Sequence, residues 1–231
     1  MKKPALLALA AMLLVASAPA QELKLILGVG TSTYSNPWAP EYWWDWSGRG
    51  SGLNPLKNNR GAFVAGFGFD LPVSESLRLE ANLLYFVQGA LYAQFRPDAG
   101  DPSQEEGIRK EFLLRGFSVP ALAKARVFRS FPFYALGGLD LSYVMSHGSV
   151  DYERFAASGP YYLPSQEYEL IHETRRLEIS PLLGVGADFE AAGTMISLEF
   201  RYQAGLLDLN REPGPYRVGR RSLLLVAGFR I

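Results

Sequence analysis

The chain has 231 residues, with 23 basic and 23 acidic side chains, two histidines and no cysteine. That balance offers no electrostatic footprint for a nucleic-acid partner, and the missing thiols exclude disulfides, cysteine nucleophiles and cysteine metal sites. With 48% apolar residues and no disulfides, stability must come from a large core or from a closed barrel in a membrane.

In chain order, the first segment is MKKPALLALAAMLLVASAPA: Lys2 and Lys3, an apolar run from Ala5 to Ala16, then Ala18-Pro19-Ala20. These are the three parts of a secretory signal peptide, and the run falls short of the about 20 residues of a membrane-spanning helix. The expected division is a signal peptide over 1–20, cleaved after Ala20, and one domain over 21–231.

No long helical period follows. Eight candidate strands lie near 23–33, 60–71, 77–91, 112–127, 133–146, 177–190, 194–207 and 219–231, each roughly as long as a tilted membrane strand. The third shows the pattern most plainly. Leu77, Leu79, Ala81, Leu83, Tyr85 and Val87 leave one face, and Arg78, Glu80 and Asn82 leave the other. The connections PVSES, FRSFP and EAAGT are short, whereas 34–59, 93–111, 147–176 and 208–218 are long. Long and short alternate without exception. Adjacent antiparallel strands put alternate loops at opposite ends, so short turns share one end and long loops the other. The fold class expected is therefore all-β: an eight-stranded antiparallel transmembrane up-and-down β-barrel, with short periplasmic turns and long extracellular loops.

Glycine decides which face is inside. Charged residues share their face with Gly66, Gly68, Gly138, Gly184, Gly186 and Gly205. A face turned to bulk water has no need of small residues, but the crowded interior of an eight-stranded barrel does. Arg78, Glu80, Lys124, Arg126, Asp140, Asp188, Glu199 and Arg201 are thus assigned to an interior polar network. Such charges must pair, as a permanent plug or as a gate that exchanges partners; the narrow lumen favours the plug. On the outward face, Tyr85, Tyr143 and Tyr202 recur late in ascending strands, and Phe69, Phe189 and Phe229 at the ends of descending ones. They are candidates for two aromatic girdles. Pro120 and Pro181 fall inside strands, and in a barrel without edges they call for bulges.

LRLEANLLYFVQGA (77–90), FSVPALAKARVF (117–128) with FYALGGLDLSYVMS (133–146), and ISLEFRYQAGLLDLN (196–210) together resemble the PorT-like outer-membrane β-barrel family of Gram-negative bacteria. The resemblance runs from the second strand to the C-terminus. It implies an eight-stranded outer-membrane barrel with a recurrent mid-strand proline, no catalytic residue, and in some relatives service to a secretion machinery. SLLLVAGFRI departs from the common aromatic last residue, since Ile231 ends the chain.

Two segments carry further candidate chemistry. MSHGSVD (145–151) places His147 beside Ser146, Ser149 and Asp151, and His172 precedes Glu173. A lipid-modifying hydrolase would need a histidine within hydrogen-bond reach of a serine hydroxyl; solvated loop histidines are the plainer expectation. Neither histidine has a metal-ligand spacing, and no metal or other cofactor is expected. The first long loop holds Trp38, Trp43, Trp44 and Trp46, and the third holds Tyr161 and Tyr162. These aromatics form a candidate extracellular binding surface, or anchor the loops at the headgroups. The overall expectation is a monomer integral to the outer membrane, in contact with its lipids and with a possible surface or secretion-machinery partner. A lipid-modifying enzyme and a secreted soluble ligand-binding barrel are the alternatives.

Overall fold

The computed structural model describes residues 22–35, 56–97, 105–126, 131–154, 163–191, 193–211 and 217–231. The segment assigned to the signal peptide lies outside them, as do Trp38, Trp43, Trp44, Trp46, Tyr161 and Tyr162.

The described residues form ten strands: β1 (Glu22–Tyr34), β2 (Leu56–Asn58), β3 (Arg60–Pro72), β4 (Leu77–Pro97), β5 (Glu105–Ala125), β6 (Phe133–Arg154), β7 (Leu163–Glu169), β8 (Leu177–Ala191), β9 (Thr194–Ala204) and β10 (Arg220–Arg230). Eight of them close a cylinder. Each neighbour pairs antiparallel in the order β1-β3-β4-β5-β6-β8-β9-β10, and β10 returns to β1. No edge remains within this wall. The short strands are additions above it: β2 lies on β4 and β7 on β6.

The two described short turns show why they are short. Val73 and Ser74 donate backbone N–H groups to the Leu77 carbonyl, and the Ser74 hydroxyl accepts from Leu77 N. Between β8 and β9, Ala191 pairs with Thr194, and Gly193 takes a φ of 77° that a residue with a Cβ rarely adopts.

Three expectations are corrected. First, 93–111 and 147–176 are not loops throughout. β4, β5 and β6 run on for 21, 21 and 22 residues, because a ladder keeps its hydrogen bonds whether or not the sequence alternates clearly enough to announce it. Second, neither proline sits at a bulge. The β5–β6 register passes through Pro120↔Asp140 and the β6–β8 register through Leu139↔Pro181 without a shift. Toward β4 the ladder skips Pro120 while keeping register, and toward β9 pairing begins only at Leu182. The chain omits a bond rather than adding a residue. Third, the β5–β6 bulge lies elsewhere: Arg115 faces Ser146 and Gly116 faces Val144, leaving Met145 extra.

Candidate functional site

Alternation sorts side chains with little exception below the bulge. Outward-facing Leu27, Val29, Phe67, Leu139, Leu183, Val185 and Phe200 are exposed, Leu183 to 64%. On β8 the exposed apolar set reaches from Leu177 to Phe189. That is about 40 Å along a strand, or roughly 30 Å along the axis at the usual tilt. The six aromatics assigned to girdles lie on this outer face. Tyr85, Phe117, Tyr143 and Leu177 occupy one ladder row, with the Tyr85 and Phe117 rings edge-to-face at 5.7 Å. Phe189, Ile196, Phe229 and Leu25 occupy another. Tyr202 pairs with Leu223, and Phe69 with Leu23.

The interior begins, at the short-turn end, with an ionic layer centred on Glu80. Lys24 reaches one Glu80 oxygen at 3.0 Å, Lys124 contacts the same oxygen, and Arg201 reaches the other at 2.9 Å. Lys124 and Arg201 also engage Glu199, at 2.5 and 2.6 Å, and the Tyr134 hydroxyl donates to Glu199 at 2.7 Å. Asp188 accepts from Arg78 and, at 3.3 Å, from Arg126; Asp70 pairs with Lys24. Taking such charges out of water costs several kcal/mol each, and cross-lumen pairing offsets that cost.

Seven of the eight residues assigned to the network meet in this layer. Asp140 does not. It belongs to a second cluster, accepting from Ser142 at 2.6 Å and from Gln203, with Arg220 at 3.5 Å. Arg220 also faces Glu178 at 2.9 Å and lies 4.6 Å over the Phe86 ring. Lys24, Glu178 and Arg220 were missed because each stands at a strand end, where too few alternations precede it. Extending parity from Ile26 or Leu224 would have found Lys24 and Arg220.

The interior is not polar throughout. Ile26, Val64, Leu84, Phe86, Leu114, Val144, Ile171, Leu224 and Val226 pack as one apolar cluster. A narrow lumen must be filled, and paired charges and packed apolar side chains both do so.

Beyond the bulge the lumen is corked. Tyr34, Ala90, Tyr92, Phe112, Leu170, Leu209 and Val218 form a second apolar cluster, and residues 170–174 turn inward beside it. The extra residue at Met145 shifts the parity of β6, so His147 points in and is buried; it is not the solvated loop histidine expected. Its Nε2 lies 3.0 Å from the Tyr34 hydroxyl, and its Nδ1 lies 2.7 Å from Thr174 Oγ1. The Thr174 proton goes to the Leu170 carbonyl, so the Thr174 oxygen accepts from Nδ1–H and Nε2 accepts from Tyr34. Through these two nitrogens the imidazole links Tyr34 of β1 to Thr174 of the inward turn. His172 is exposed, on the outer side of the same turn.

Among the described residues, no three His, Asp or Glu side chains form a group able to hold a metal ion. No family model matches the chain, and no curated protein matches it in sequence. Among solved structures it is similar to Neisserial surface protein A, at 13% identity and a TM-score of 0.40 over 92% of this chain and 99% of that one. It is also similar to the Yersinia pestis attachment invasion locus protein in complex with sucrose octasulfate, at 14% identity and 0.38 over 92% and 100%. The outer membrane enzyme PagL gives 12% identity and 0.31 over 90% and 99%. At these identities no residue's role passes from one chain to another.

Proposed function

We propose that this chain is an integral outer-membrane barrel with a filled lumen and a structural or partner-binding role. One observation carries the reading: the wall is a closed cylinder with its apolar side chains outside and its charges inside. Exposed leucines and phenylalanines around a whole cylinder are tolerable only in lipid. A soluble calyx needs the opposite arrangement. The same reading takes in the signal over residues 1–20 with cleavage near Ala20, PorT-like membership on the resemblance of the strands, and single-copy insertion. Lipids contact the belt and its aromatic rows, while a surface or secretion partner meets the outer end. A lipid-modifying enzyme gains no support from His147, which is committed to Tyr34 and Thr174.

The test is fractionation with a gel-shift assay. Outer membranes from cells expressing the full chain should contain a band that migrates differently before and after boiling, since the closed hydrogen-bond network resists detergent. A periplasmic, heat-insensitive band refutes the reading.

A further inference from the structure

One pocket at the outer rim is unused by this reading. β6 pairs with β8 up to Tyr143↔Leu177 and with β7 from Gly148↔Glu169; between these two levels residues 170–176 leave the wall. A pocket of about 430 Å³ opens there. Tyr143, Ile171 and Leu177 supply its apolar side, and Arg175, Arg176 and Arg211 its cationic side.

The arginines meet because two distant segments are stitched together. Thr174 bridges to Asn210, Arg175 N donates to the Leu209 carbonyl at 2.7 Å, and Arg211 N donates to the Glu173 carbonyl at 2.8 Å. Arg176 is fixed from the other side, its carbonyl accepting from Val144 N at 2.7 Å. None of the three guanidinium groups has an ion-pair partner among the described residues. The ionic layer around Glu80 and the cluster around Arg220 are each matched by opposite charge; this one is not. Glu173 on the same turn leaves an excess of positive charge.

Its height specifies the ligand. Arg176 Nη1 stands 3.4 Å from the outward Tyr143 hydroxyl, in the aromatic row that Leu177 shares, with Ile179 and Leu141 exposed below it. We propose that this pocket binds a phosphate-bearing lipid headgroup of the outer leaflet, the guanidinium forks taking the phosphate and the apolar side the root of an acyl chain. The inference rests on the membrane reading above.

The experiment uses the full folded protein in phosphatidylcholine nanodiscs doped with diphosphoryl lipid A or with the same lipid stripped of phosphate. Lipid retained per protein is counted by native mass spectrometry. The expected result is preferential retention of the phosphorylated lipid, weakened about tenfold or more in Arg175→Gln/Arg176→Gln/Arg211→Gln, as charge-assisted hydrogen bonds are lost. Inorganic phosphate should not displace it. Equal retention of the two lipids, or an equal loss in the rim variant Arg221→Gln, overturns the pocket while leaving the membrane reading intact. Displacement by inorganic phosphate reassigns it to a soluble anion. Failure of the protein to enter nanodiscs at all sinks both.

Discussion

Glu80 is the residue on which the lumen turns. One carboxylate answers Lys24, Lys124 and Arg201, so Glu80→Ala leaves three buried cations to share Asp70 and Glu199 around a vacancy. The expected cost is about 3–5 kcal/mol, read as a lower temperature for loss of the compact gel band. A plug behaves this way. A gate would instead leave the band unchanged and admit current in a planar bilayer. His147 is a milder case. His147→Ala leaves the Tyr34 and Thr174 hydroxyls without a shared partner at an expected cost of about 1–3 kcal/mol. Hydrogen exchange should speed up at Glu173 and Thr174, whose N–H groups close the inward turn, and stay slow in β9. Neither contact was visible in the sequence. Partners 44, 56 and 121 positions from Glu80 meet only when the cylinder closes, and His147 faces inward only through a bulge whose position alternation does not mark.

For the strands, the face assignment makes the sharper prediction. Leu183 and Leu182 are chemically identical neighbours, one 64% exposed and the other buried. Leu183→Arg places a guanidinium in lipid and should cost about 2–4 kcal/mol, lowering the fraction folded into vesicles; Ser180→Ala, on the inner face, should insert normally. Gly138 tests packing within the wall. A Cβ there would overlap the Ala121 carbonyl oxygen, so Gly138→Val should force the β5–β6 ladder apart and reduce yield of the heat-shifting form, at about 1–3 kcal/mol. At this scale the sequence was highly legible. Strict alternation in 77–87 and 194–204 located strand, face and neighbour together, since a period of two admits few other readings. Legibility failed where lipid ends. Residues 93–97 and 105–111 keep their ladder, but their charges and the nearby prolines and glycines look the same as a loop. The prolines misled for a related reason: a single missing donor is cheaper than a shifted register that would turn every following side chain inside out.

The molecule as a whole should be electrically silent. Ionic layer, apolar cluster and cork occupy successive levels of the lumen, so reconstituted protein is expected to show no steady conductance in planar bilayers; a stable open channel would mean that these levels separate. The cylinder is also lopsided. On one side β9 stops at Ala204 and β10 starts at Arg220, whereas β4, β5 and β6 continue for about ten residues past the lipid belt, flanked by β2 and β7. At about 3.3 Å per residue that is a sheet standing on the order of 25 Å tall along one arc of the rim. Among the described residues, nothing of comparable height stands opposite. An approach from the long-loop end therefore meets this standing sheet along one arc of the rim, and that contact is set by geometry before any side chain is chosen. Antibodies raised against the folded protein on intact cells should concentrate on the upper part of the β4–β5 ladder.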